Sequence, residues 1–265
     1  MNIFLHEIKA YQKSTFVWTA SLVLILILFM SMFPSITKEI VGFKKLLEGF
    51  PEGVRKSLGI QIESIGSLIG FYSYAFTYIT LCGAIQGMNL GVSIISKETR
   101  EKTADFLFTK PVRRSYILYN KFLAAVISIL ITNVFYLIAA NIIANIVKIE
   151  NYNTTIFLLI SFTLLFIQLI FLSIGILIAL VFPKVKSVIT ISLGIVFMFF
   201  IIGMIASSDG KDIGRYFSPF KYFDSSYIVQ NSSYETSFLV TGIAVIIVSV
   251  VTSFIIYLKR DIQTV

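Results

Sequence analysis

The chain holds one cysteine and one histidine among 265 residues, and each scarcity removes a class of chemistry. Cys82 has no second thiol with which to form a disulfide, and His6 has no neighbouring ligands spaced for a metal, so both residues are expected to be structural. Paired carboxylates at catalytic spacing, a serine with a histidine partner and an HExxH helix are all missing, which argues against a hydrolase. No GxxxxGK[ST] loop is present, so this chain does not cradle nucleotide phosphates itself; it is expected not to be an enzyme and to bind no cofactor. Charge is scarce as well, at 14% of residues, and it is gathered into a few short intervals.

What is present is apolar. Hydrophobic residues make up 57% of the chain and the mean hydropathy is +0.88, values that fit an all-α polytopic membrane protein and no soluble domain. The longest polar intervals run to about thirty residues, too short to bury a core of their own. Six segments have the length and composition of spans: Thr15–Phe33, Ile69–Ile95, Tyr116–Val147, Thr155–Val181, Ser187–Ala206 and Ser237–Leu258. The first is expected to be a retained span and not a signal peptide, because no small-residue cleavage site follows it. The whole chain then reads as a single transmembrane domain.

Between and before the spans the pattern changes. Met1–Ser14 places Phe4, Ile8 and Tyr11 at helical spacing with Glu7, Lys9 and Lys13 around them, which predicts an interfacial helix. Pro34 is expected to end the first span, and Ile36, Ile40, Phe43, Leu47 and Phe50 mark one face of a surface helix that Pro51 and Gly53 break. Tyr216, Phe217, Pro219, Phe220, Tyr222, Phe223 and Tyr227 crowd the interval before the last span, which suits interfacial anchoring or a partly re-entrant hairpin.

Within the spans, Gly83, Gly87 and Gly91 recur every four residues and so share one helix face, where another helix can approach closely. Gln86 and Asn89 share a face too, and serve either as hydrogen-bonding glue or as lining of a polar route. Asn133, Asn141 and Asn145 read first as interhelical hydrogen-bonding groups. Lys121 is the one ionisable group near a span, close enough to its start to snorkel to the interface. No Asp, Glu or His stands at depth in any span. A charge at the bilayer centre costs roughly 2.5–3.5 kcal/mol on insertion scales and is kept where it works, so a proton-driven carrier is disfavoured.

The densest charge lies in Ser96–Ser115, between the second and third spans. Thr103 suits a helix N-cap, Asp105 complements the positive helix end, Phe106, Leu107 and Phe108 form an apolar tip, and Pro111 stops the run, with Arg113 and Arg114 behind it. Such a short helix either lies on lipid headgroups or docks a soluble partner. Six spans put this loop and both termini on one side, which carries 13 of the 22 Lys and Arg residues against five of the 14 acids. The excess predicts that this side is cytoplasmic and faces anionic lipid.

With these parts in order, the loop pattern E-x-x-E-K-T-x-x-x-L-x-x-x-P-V-x-R and the later YFSPFKYFD resemble the permease subunits of bacterial type-2 ABC exporters, over nearly the whole chain. The resemblance implies that the loop carries a coupling helix seated in a cytoplasmic ABC ATPase subunit. Glu98, Glu101, Thr103, Leu107, Pro111 and Arg114 take the motif positions, while Lys102 stands where many relatives have glycine. It also implies that ATP and Mg are bound by that partner, that a second permease copy completes a 2:2 complex in the bacterial cell membrane, and that nucleic acid is no partner. The pathway would lie between the permeases, lined by Gln86, Asn89, Phe197, Phe200 and Met204, a surface suited to a hydrophobic or amphipathic cargo such as a peptide, an antibiotic or a lipid-like molecule. The alternative is a membrane sensor or regulatory subunit that holds a signalling protein and moves no cargo.

Overall fold

A computed structural model describes residues 3–57, 60–100, 113–182, 185–208 and 212–259. Every regular element among them is helical. Six helices are long and apolar enough to cross a membrane: α1 (Ile3–Lys38), α4 (Leu68–Arg100), α5 (Arg114–Val147), α6 (Thr154–Val181), α7 (Val188–Ser208) and α10 (Thr236–Lys259). Shorter helices α2 (Ile40–Glu48), α3 (Glu52–Ser57), α8 (Asp212–Arg215) and α9 (Ser225–Asn231) lie in the connections. The N-terminus, the α4–α5 connection and the end of α10 share one end of the bundle, called here the loop end; α2, α3, α8 and α9 lie at the far end.

The expected interfacial helix is not a separate element. α1 is continuous for 36 residues, about 54 Å at 1.5 Å per residue, so the N-terminal segment is the protruding start of the first span. Its buried side chains are Ile3, Glu7, Leu22, Leu26, Met30 and Phe33. The inward face near the N-terminus is therefore the one that carries Glu7, and not the Phe4 and Ile8 face that apolarity alone favoured. Pro34 does not end the helix either. A proline lacks the N–H that would bond the carbonyl four residues back, but a membrane helix tolerates the loss where its freed groups find partners. The carbonyl that Pro34 frees is that of Met30; one turn on, the Thr37 hydroxyl donates to the carbonyls of Phe33 and Pro34 at 3.0 and 3.1 Å, and the helix runs on to Lys38. The break comes at Glu39, and α2 follows with Leu47 buried.

α4 and α6 form the interior of the bundle and make its most extensive helix pair. The glycine row explains why. A Cβ on Gly83 would stand 2.4 Å from Leu164 Cδ1, one on Gly87 2.4 Å from the Gln168 carbonyl oxygen and one on Gly91 2.4 Å from the Leu172 carbonyl oxygen. The row lies directly against α6, and Gly175 answers it from the other side against Met88. α6 begins where Asn153 caps it, its Oδ1 accepting from the amides of Thr155 and Ile156 at 3.0 and 3.3 Å. α1 packs mainly on α5, and α10 on α6.

The aromatic interval before α10 turns inward. Ser218 is fully buried and donates to the Phe199 carbonyl at 2.7 Å. Phe199 lies nine residues before the end of α7, about 13 Å down that helix, so the segment re-enters the bundle, while Tyr216 and Phe217 stay exposed. Phe220 packs on Phe171 and Phe200 with ring centroids 5.2 and 5.4 Å away, and Phe223 stacks on Phe166 at 5.2 Å. Burial against this packing pushes the Tyr234 phenol up to about 12, and its hydroxyl donates to the Leu159 carbonyl at 2.6 Å. Arg215 pairs with Glu235 at 2.7 Å and lies 3.9 Å from the Phe238 ring centroid, tying the hairpin to the start of α10.

Candidate functional site

Two regions concentrate polar groups inside this apolar bundle. The first is a layer midway along the spans. Asn133 Nδ2 donates to Gln168 Oε1 at 2.5 Å, Gln168 Nε2 to Gln86 Oε1 at 2.9 Å, and Gln86 Nε2 to Thr132 Oγ1 at 2.9 Å. Thr132 in turn donates to the Ser128 carbonyl at 3.2 Å, and its hydroxyl oxygen stands 3.0 Å from that of Thr19. The chain of bonds joins α1, α4, α5 and α6. Along α4 and α5 it separates two apolar clusters: one holds Phe71, Phe76, Ile79 and Tyr136 on the far side, the other Met88, Val92, Leu118 and Ile129 toward the loop end. Nearer the far end, Tyr72 bonds Tyr136 and Ser161 through its hydroxyl at 2.9 and 2.7 Å.

This layer divides the expected lining set. Gln86 is 2% exposed and both ends of its amide are bonded within the chain, so it is interior glue and does not line a route in the single chain. Asn89 is half-buried. On α7, Phe197 is 43% exposed, whereas Phe200 packs edge-on to Phe220 and Met204 is half-buried. Gln86 and Phe197 thus share no surface. Of the three asparagines, Asn133 makes the interhelical bond expected of it. Asn141 and Asn145 donate back to carbonyls of their own helix at 2.9 Å.

The second region is the loop end itself. Glu101, Thr103, Phe106, Leu107, Phe108 and Pro111 lie outside the described residues, as does the Glu98 side chain. What is described is the pair of legs on which that loop stands. α4 runs to Arg100, and α5 starts at Arg114 with Arg113 as its extended, exposed N-cap. Lys121 sits seven residues into α5 and is 1% exposed; it does not snorkel outward. Its ammonium turns inward, donates to the Ile94 carbonyl of α4 at 2.6 Å and stands 3.8 Å from Glu7 Oε1 of α1. The physical reason is that two partners are within reach inside, which offsets the cost of leaving the interface.

Sequence reasoning missed four of these residues. Glu7 reads as one charge among several on a surface helix, and only its regular spacing with Ile3 and Tyr11 marks the inward face. Gln168 is the single amide in the 28-residue apolar α6, a signal that points to a buried partner. Arg215 and Glu235 are 20 residues apart, and nothing local couples them.

Six helices long and apolar enough to cross a membrane, with a hairpin turned back into the bundle before the last, make this a multi-pass membrane protein. The sequence matches the family model described as "ABC-2 family transporter protein" over residues 1–262, and the chain belongs to that family. It is thereby a type-2 ABC permease subunit, a membrane component distinct from the ATPase with which such permeases associate. The search of curated proteins returns no match.

Proposed function

We propose that this permease pairs with a second copy of itself and moves a hydrophobic or amphipathic cargo out of a bacterial cell, driven by two ATPase subunits that bind ATP and Mg. The loop 96–115 is the coupling element, with Phe106, Leu107 and Phe108 as the apolar tip, Glu98, Glu101 and Arg114 as flanking charges, and both termini in the cytoplasm. α7 and α10, two of the three least buried spans, supply the area for the second copy, and Phe197 on α7 is the exposed aromatic offered to cargo. The observation that carries the reading is that the legs of the loop, α4 and α5, are tied together and to α1 at the loop end by Lys121. A force applied to the loop has a stiff route into the bundle.

The test is co-purification. The permease is expressed with an ABC ATPase encoded beside it and captured by its own tag, and ATP hydrolysis is compared between the wild type and Leu107→Arg. The expected result is that the wild type retains the ATPase and the variant loses it, or hydrolyses ATP without control by the permease. Failure of the wild type to retain any ATPase overturns the coupling role and favours a sensor that docks another cytoplasmic protein.

A further inference from the structure

The buried charges at the loop end belong to none of the expected groups. Ile94 lies six residues before the end of α4 and Lys121 seven residues after the start of α5, so both stand about 10 Å in from the loop by helix rise. Glu7 meets them at the same level from α1, 4% exposed, with Oε1 3.8 Å from the lysine ammonium. One turn along α1, the Tyr11 hydroxyl stands 3.1 Å from Ser93 Oγ of α4, and Lys97 lies over the Tyr11 ring at 5.8 Å. Three helices converge here on a single side chain.

Packing alone does not join the legs. α4 and α5 share little direct contact, since α4 packs chiefly on α6 and α5 chiefly on α1. The 2.6 Å bond from Lys121 to Ile94 is therefore the direct tie between them at this level, and Glu7 adds the third helix. Apolar contact between helices permits sliding by a fraction of a turn. A charge-assisted bond to one carbonyl fixes the register, and burial raises the cost of breaking it.

We propose that Glu7 and Lys121 are positioning residues of the coupling machinery, a clamp that makes the start of α1 part of the moving unit. Movement imposed on the loop is passed to α1, α4 and α5 together and not to α4 and α5 alone. The inference rests on the reading of the loop as the ATPase-docking element.

The test uses the complete complex with its ATPase. Cys82→Ser removes the sole cysteine, and spin labels are placed at Lys9→Cys on α1 and Tyr119→Cys on α5, both exposed positions. Distances between the labels are recorded without nucleotide and with ATP trapped by vanadate. With the clamp intact the distance is the same in both states. In Lys121→Met and in Glu7→Gln it changes with nucleotide by about 2 Å or more, the scale of helix shifts at moving interfaces. Lys121→Arg, which keeps both a donor for the Ile94 carbonyl and a positive charge facing Glu7, restores the nucleotide-independent distance; a purely structural role for the buried lysine predicts no such rescue by charge. An unchanged distance in Lys121→Met with the ATPase retained overturns the clamp alone. Loss of the ATPase from the wild type overturns the coupling reading and the clamp with it. If Lys121→Met fails to fold, Glu7→Gln decides: an unchanged distance there overturns the proposal.

Discussion

Gly87 of α4 stands so close to α6 that a Cβ in its place would lie 2.4 Å from the carbonyl oxygen of Gln168, a main-chain atom that cannot swing aside. The contact is between backbones, and it sets how near the two interior helices come. Gly87→Ala is expected to destabilise by about 1–3 kcal/mol, and Gly87→Val by more, because overpacking forces helices apart. The matched control is Gly194→Ala on α7, where nothing lies within 4 Å of the added methyl. That change should be neutral or stabilising by about 0.4–1 kcal/mol. Thermal unfolding in detergent, followed by size-exclusion chromatography, separates the two outcomes; equal midpoints would show that the α4–α6 contact is looser than described.

The polar layer predicts non-additive losses. Gln86→Leu and Gln168→Leu should each cost about 0.6–1.7 kcal/mol, the range for interhelical hydrogen bonds in membranes. The double variant should cost less than the two together, since the residues bond each other at 2.9 Å. Unfolding midpoints in mild detergent check this, and strict additivity would mean that each amide acts through other partners.

Arg215 holds the re-entrant hairpin to α10 through Glu235 and the Phe238 ring. Arg215→Met keeps much of the side chain's length and removes the charge. It should loosen the hairpin by about 1–2 kcal/mol, above the value of an exposed pair because both side chains are largely shielded. Limited proteolysis from the far end, with Glu235→Gln as the partner variant, reads the loss as faster cleavage between residues 212 and 235. Unaltered cleavage in both variants would assign the hairpin's hold to its aromatic packing.

Burial lowers the Lys221 ammonium below the ordinary lysine range, with the nearby Arg215 charge acting in the same direction and Asp224 partly opposing both. The unfolded chain then binds more protons than the folded one between the lowered value and the ordinary pKa of about 10.4. Across that window stability rises with pH, and below it the cost of the buried charge is constant. Lys221→Met should be more stable than the wild type near neutrality, and the difference should shrink as the pH climbs through the window. Melting curves of both proteins over that range test the sign; a difference that grows with pH would reverse the assignment.

The spans were legible in the sequence to within a few residues at most ends, because hydrocarbon admits few polar groups and leaves long uninterrupted runs. The glycine row was legible for the same kind of reason, since period four defines a face whatever lies opposite. Three things were not. Pro34 reads as a stop, but the helix runs on past it to Lys38. Lys121 reads as a snorkelling lysine, because its inward partners come from helices 27 and 114 residues away in the chain. Gln86 reads as glue or as lining, and only Gln168 and Thr132 decide between them. In the last two cases the missing term was a tertiary partner.

The pairing of Gln86 with Gln168 also has a consequence during synthesis. Gln86 emerges from the ribosome 82 residues before Gln168, from whose amide it accepts. Until α6 arrives, Gln86 Oε1 lacks the donor Gln168 and Asn133 lacks its interhelical acceptor, and lipid supplies neither, although Gln86 Nε2 meets Thr132 once α5 is made. The hypothesis that follows is that the first three spans are held by the insertion machinery and released together when the fourth enters. A photo-crosslinker at residue 86 in ribosome-arrested chains should capture that machinery in products ending before Thr154 and lose it in products extending past Val181. Capture that ends before α6 is made would show that the half-built bundle is already at ease in the bilayer.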